Sequence, residues 1–246
     1  MVASEVEPPV LHLFGGPHVT QFGQHREVPQ GCQRLLAFTA LHGNRVERRH
    51  AAGTLWPTGD DNRAAGNLRT ALWRLRGAGI DLLQVDKWSL AIRADVRVDV
   101  RDAGHWAARV IAGRATPEDL AVPDWSTEAL DLLPGWYDDW TLLERERLRH
   151  QVMHALDALS HHLIRIGRYA EAVEAAMTAV SADPLRESAQ RTLIEAHLAD
   201  GNWSEGHRGF LAYRDVLRRE LDAEPSADLI SLLRTTRRPM SYAPGA

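Results

Sequence analysis

Hydrophobic positions along this chain follow two rhythms. From Val10 to Val28 the apolar residues alternate loosely, with Leu11 and Leu13 and then Val19 and Phe22 set around Gly15-Gly16-Pro17 and Gly23. A two-residue period broken by turn formers predicts a small N-terminal sheet of short antiparallel strands. From Gln33 the period lengthens to that of a helix. Leu35, Leu36, Phe38 and Leu41 predict a helix stopped by Gly43 and Asn44, Arg48 to Trp56 a second short one ended by Pro57, and Asp60 to Arg76 a third. Gly59-Asp60-Asp61-Asn62 supplies the turn and the N-cap of that third helix. After Gly77 and Gly79, the apolar runs Ile80 to Val85 and Trp88 to Ile92 flank Asp86-Lys87, a hairpin pattern. Sheet, three helices and hairpin is the order of a winged helix, whose third helix enters the major groove while the hairpin touches flanking backbone.

Residues 93–98 read as a passage into a second region, where helical periodicity resumes at Trp106 and only helices follow. Pro117, Pro123 and Pro134-Gly135 cut its first part into short pieces, and Thr141 with Glu144 after Asp138-Asp139 predicts a capping box opening a long helix towards Ile166. Gly167, Tyr169 and Glu171 then recur as Gly201, Trp203 and Glu205, 34 residues on. That is the tetratricopeptide period, with its Gly-x-aromatic at the turn between helices. Asp183-Pro184 is expected to start the second unit, and Ala172, Ala175, Ala176, Ala179 and Ala196 to let paired helices approach closely. Such repeats commonly hold proteins or peptides on a concave face.

The third helix of the first region divides by face. Ala71, Leu72 and Leu75 lie within roughly 60° of Leu68 and form an apolar stripe with it. Arg63, Gly66, Asn67, Arg69, Thr70, Trp73 and Arg74 project on the other side, a set with forked cations, an amide and a hydroxyl but no carboxylate. Charge changes the picture further. The net charge of −4 hides nine arginines against four acids between Arg26 and Arg76, and 17 basic against 23 acidic residues from 101 to 246. A basic module joined to an acidic one points to nucleic acid for the first.

Other chemistry is missing. Lys87 is the only lysine and no Gly-x-x-x-x-Gly-Lys occurs; Gly-x-Ser-x-Gly, His-Glu-x-x-His and Cys-x-x-Cys are absent as well. No enzyme, cofactor or metal ion is expected, and His150 with His154, like His161-His162, reads as solvated helix histidine. Cys32 reads as a small packed residue and Trp56, Trp140 and Trp203 as anchors at turns or helix starts, while Trp73, on the polar face of its helix with the hairpin and the second region as candidate neighbours, is left unassigned. One cysteine, no signal-peptide pattern and no long apolar run point to a cytoplasmic protein with no membrane association.

Four groups of residues carry a family resemblance: Arg34-Leu35-Leu36-Ala37 with Leu55-Trp56-Pro57, the helix Asn67 to Arg76, Leu133-Pro134-Gly135-Trp136-Tyr137-Asp138-Asp139-Trp140 with Glu144 to Leu148, and Tyr213-Arg214-Asp215-Val216-Leu217 with Glu220-Leu221 and Glu224-Pro225. From Leu11 to Leu233 the chain resembles the bacterial transcriptional activator domain proteins, the group that includes the Streptomyces antibiotic regulatory proteins. The resemblance implies a mainly α fold with a small β part: an OmpR-like winged helix-turn-helix over 9–96, then an all-α, tetratricopeptide-like activator domain over 97–238. Residues 1–8 and 239–246 are expected to be flexible termini. It further implies an activator binding promoter direct repeats in double-stranded DNA, as a homodimer of side-by-side protomers, and recruiting RNA polymerase holoenzyme. Gly53 and Gly66 depart from the usual pattern by loosening helices that are better formed in relatives.

Within that frame the candidate base contacts are Arg63, Asn67, Arg69, Thr70 and Arg74, with Asn67 suited to adenine and Arg69 or Arg74 to guanine. Arg48, Arg49 and Lys87 are the candidate phosphate contacts. The rival reading is a tetratricopeptide-type adaptor whose winged helix docks protein rather than DNA.

Overall fold

Three short strands open the computed structural model, which describes residues 7–43 and 45–235. β1 (Val10–His12), β2 (His18–Gln21) and β3 (Gln24–Glu27) form an antiparallel meander, with Leu11 opposite Val19 and both fully buried. The turn between β2 and β3 places Phe22 and Gly23 at φ 54° and 71°, a left-handed pair that glycine makes easy. α1 (Gln30–Leu41) buries every residue from Leu35 to Ala40. Next come β4 (Val46–Glu47), α2 (Arg48–Leu55), α3 (Asp61–Gly77), β5 (Leu83–Val85) and β6 (Ser89–Ile92). β4, β6 and β5 make a second, antiparallel sheet of which β5 and β6 are the wing. The winged helix is therefore present as expected, with its small sheets packed around the helices.

The passage 93–98 differs from expectation. It holds β7 (Arg97–Val98), which pairs parallel to β1, and helix α4 (Asp99–Ile111) begins at once rather than at Trp106. Asp99 explains the early start. Its Oδ2 accepts the N–H groups of Leu13 at 2.7 Å and Phe14 at 3.0 Å, so the first residue of α4 ties down the end of β1. Burial pushes that carboxyl above its ordinary pKa, while the three backbone N–H groups it accepts pull the other way.

After α4 come a single 3₁₀ turn at Pro117–Leu120, α5 (Ser126–Ala129), α6 (Asp139–Arg165), α7 (Tyr169–Ala182), α8 (Glu187–Ala199), α9 (Trp203–Leu221) and α10 (Ala227–Thr235). Two caps differ from the sequence reading. Thr141 lies inside α6 with a buried hydroxyl that finds no partner, so it is not the cap of that helix. A capping box is formed at Thr116 and Asp119, at the start of the 3₁₀ turn. Asp183 and Pro184 fall in the turn before α8, which starts at Glu187. Asn44, one of the two expected stops of α1, and most of the two expected flexible termini lie outside the described residues.

The described chain divides into two compact units. The first runs to Trp106 and includes Trp125–Val152 as well; the second comprises Ala107–Asp124 and the chain from Met153. Within the first, Asp138 forms an ion pair with Arg34, whose other nitrogen donates to the Leu55 carbonyl at 3.2 Å. Trp140 stands edge-on to Phe38 with ring centroids 5.2 Å apart, and Phe14 bridges to Leu132. Arg145 donates to the carbonyls of Leu132 and Leu133 at 2.7 and 2.6 Å. The segment 125–148 is thus stitched onto the winged helix.

In the second unit the 34-residue repeat is real at the level of helices: α7 and α9 begin at Tyr169 and Trp203, each behind a glycine (Gly167, Gly201) near φ 75–78°. Ala172, Ala175, Ala176, Ala179 and Ala196 are fully buried. Gly206 sits 34 residues after Ala172, where a Cβ would stand 3.5 Å from Leu198, so both repeats keep a small residue at this position. Ile194, Tyr213, Leu217, Leu229 and Leu233 close this core.

Candidate nucleic-acid interface

Helix α3 is set by its cap and its stripe. The Asp60 side chain accepts the Arg63 N–H at 2.8 Å, satisfying one of the amides a helix start leaves open. Ala64, Leu68, Ala71 and Leu75 are buried, whereas Leu72 is only half-buried, so the stripe turns towards Ala64 rather than Leu72. Arg63, Arg69, Thr70, Trp73 and Arg74 are exposed and Asn67 is half-buried.

The candidate residues do not all reach outward. Thr70 donates its hydroxyl to the Gly66 carbonyl at 3.1 Å, inside its own helix. The Arg63 methylenes lie over Gly59, whose φ of +113° and missing Cβ make room for them. One Arg74 nitrogen lies over Gly31 at the start of α1, near enough to Cys32 to offset part of the upward pull of burial on that thiol. Cys32 is buried and donates to the Ala71 carbonyl at 3.3 Å, a packed residue as expected. Trp73, which the sequence leaves unassigned, is 73% exposed.

Arg48, Arg49, Arg69 and Lys87 line one cleft of about 680 Å³ between the start of α2, the first half of α3 and the wing tip, together with Asn62, Asp61 and Trp88. The three phosphate candidates are therefore gathered in one place, and Arg69 joins them; Arg63, Asn67 and Arg74 stand elsewhere along α3.

The wing tip has an organiser that sequence reading passed over. Asp86 accepts the N–H groups of Trp88 and Ser89, both at 2.7 Å, and pairs with Arg45. Those backbone amides, with the Ser89 hydroxyl, pull its pKa down to about 2. Arg48 donates its side chain to the Asp86 carbonyl at 3.1 Å, and Lys87 sits 4.8 Å from the centre of the Trp88 ring. An Asp-x-x-Ser turn between two strands was the available signal.

Many arginines away from this face are paired. Arg93, Arg97, Arg109, Arg145, Arg147, Arg168, Arg186, Arg191, Arg208, Arg214, Arg218 and Arg219 each have a carboxylate partner within the protein. On α2, α3 and the wing tip, Arg48, Arg49, Arg63, Arg69, Arg74, Arg76 and Lys87 have no carboxylate partner among the described residues. Unneutralised guanidinium groups on one surface are suited to a polyanion.

The sequence model of the bacterial transcriptional activator domain matches residues 98–237, more than half of the chain. The chain belongs to the bacterial transcriptional activator domain family. It is similar to the regulatory protein AfsR of Streptomyces griseus, 26% identical over 214 residues, covering 83% of this chain and 22% of that protein. The chain thus spans about a fifth of that relative's length. Its fold is that of Mycobacterium tuberculosis EmbR, solved with a low-affinity phosphopeptide, at a TM-score of 0.66 and 18% identity over 93% of this chain and 65% of that one. Along the sequence a winged helix precedes the helical region that the family model matches. Among the described residues no helix is long and apolar enough to cross a membrane, and no cluster of His, Cys, Asp or Glu is arranged to hold a metal ion.

Proposed function

We propose that this protein is a sequence-specific DNA-binding activator of transcription, with 9–96 as the DNA-binding part and 97–238 as the activator part. In this reading α3 enters the major groove. Asn67 pairs with adenine and Arg74 with guanine, Arg63 and Arg69 supply further contacts, and Thr70 contributes once its hydroxyl leaves the Gly66 carbonyl. Arg48, Arg49 and Lys87 hold the phosphate backbone from the cleft beside the wing. Two protomers lie side by side on a direct repeat in the cytoplasm, and the helical region recruits RNA polymerase holoenzyme.

One observation supports the reading: Arg48, Arg49, Arg63, Arg69, Arg74, Arg76 and Lys87, all on α2, α3 and the wing tip, have no carboxylate partner among the described residues. The test is a gel shift of the full chain on promoter DNA next to its own gene, at several salt concentrations. Arg49→Ala is expected to weaken binding on every sequence and flatten the salt slope by about one unit, and Arg74→Ala to relax preference at one base pair. Wild-type affinity in both variants at every salt concentration would refute the groove assignment.

A further inference from the structure

Trp73 is the one large apolar side chain that α3 leaves in solvent among the described residues, and it has no ring or hydrogen-bonding partner there. Its surroundings are low. On a helix of 100° per residue, Gly66 lies roughly 20° and Gly77 roughly 40° from it, so all three share one row. A Cβ at Gly77 would meet nothing within 4 Å, and one at Gly66 only the mobile end of Arg69 at 3.8 Å. Two glycines with open space around them weaken a helix without relieving any crowding. They do clear the backbone on both sides of a broad, exposed indole.

A partner that meets this row comes close to the backbone and offers something apolar at Trp73, while Arg69, Thr70 and Arg74 beside it demand polar and anionic groups. The major groove satisfies both demands. It is wide enough for a helix, it is walled by phosphates, and the apolar group on its base edges is the 5-methyl of thymine. We infer that Trp73 is a further base-reading residue of α3, taking the methyl group of one thymine against its indole ring. The inference rests on the DNA-binding reading above.

The site protected by the full-length wild type is mapped first. Each thymine in one half-site is then replaced in turn by deoxyuridine, which lacks only the methyl, and binding is followed by fluorescence anisotropy at fixed salt. Burying one methyl-sized group is worth about fourfold in affinity. Wild type is therefore expected to lose about fourfold at a single position. Trp73→Ala is expected to bind the unmodified duplex at least that much more weakly and to ignore the replacement there. Thermal melting checks that this exposed position leaves the fold intact.

Wild type insensitive to every deoxyuridine, with Trp73→Ala binding as tightly as wild type, overturns the inference and leaves DNA binding standing. A Trp73→Ala defect seen only on duplexes with two half-sites, again without deoxyuridine sensitivity, also overturns it and assigns the ring to a neighbouring protomer. If wild type protects no DNA, the parent reading fails with it.

Discussion

The main-chain N–H of Arg48 donates to the carbonyl of Trp88 across 2.8 Å, so the first residue of α2 and the tip of the wing form one piece. Asp86 fixes the other side of that tip. In Asp86→Ala the amides of Trp88 and Ser89 are expected to exchange with solvent faster in hydrogen-exchange NMR, and DNA affinity to fall severalfold although the substituted group is an anion. Tighter binding, as expected from charge removal alone, would argue that the shape of the wing is irrelevant. The folded-state pKa of Asp86 lies below its ordinary value, so its contribution is complete above about pH 4 and is lost as pH falls through about 2.

Asp60 is the cap of the helix that carries the candidate base contacts. Asp60→Ala is expected to cost about 1 kcal/mol, read as a lower urea midpoint at unchanged slope. Asp60→Ser is expected to recover most of it, because a hydroxyl oxygen can accept the same amide.

Gly66→Ala separates stability from binding. The open space around Gly66 predicts a gain of about 0.5–1 kcal/mol in helix stability. With that face against DNA, the added methyl is expected to weaken binding while the melting temperature rises. A variant improved in both would place a different face of α3 in the groove.

His161 pairs with Glu195 at 2.9 Å, joining α6 to α8, and the hydrogen bond to Glu195 raises its pKa above 6.5. A raised histidine pKa stabilises the fold fully below pH 6.5 and loses that contribution as pH climbs through the raised value. Both side chains are partly exposed, which holds the effect to about 0.5 kcal/mol. His42 and His197, whose pKa values burial lowers, slope the other way. The clean readout is therefore the difference in melting temperature between wild type and Glu195→Gln at pH 6 and pH 8, expected to be larger at pH 6.

Features written in local periodicity were legible in the sequence. The α3 stripe and its Asp60 cap, the wing hairpin and the 34-residue repeat each depend on neighbours a few residues apart, and each is present. What escaped depends on distance along the chain. β7 has two residues, too few for a pattern, and exists because Leu11 pairs with Val98. Arg34 and Asp138 are 104 positions apart, and nothing near either one signals the other. At the candidate interface the charged set was readable. The retreat of Thr70 onto Gly66 was not, because an exposed hydroxyl can choose between its own helix and an outside partner.

Asp99 holding Leu13 and Phe14, and Asp138 holding Arg34, have a consequence for how the chain is made. A ribosome releases the winged-helix strands and α3 long before it reaches Trp125–Val152, so the N-terminal strands wait for partners encoded late in the first unit. The first compact unit is complete only when the nascent chain has reached Val152. A messenger truncated just after β7 would yield strands and helices without their clasp.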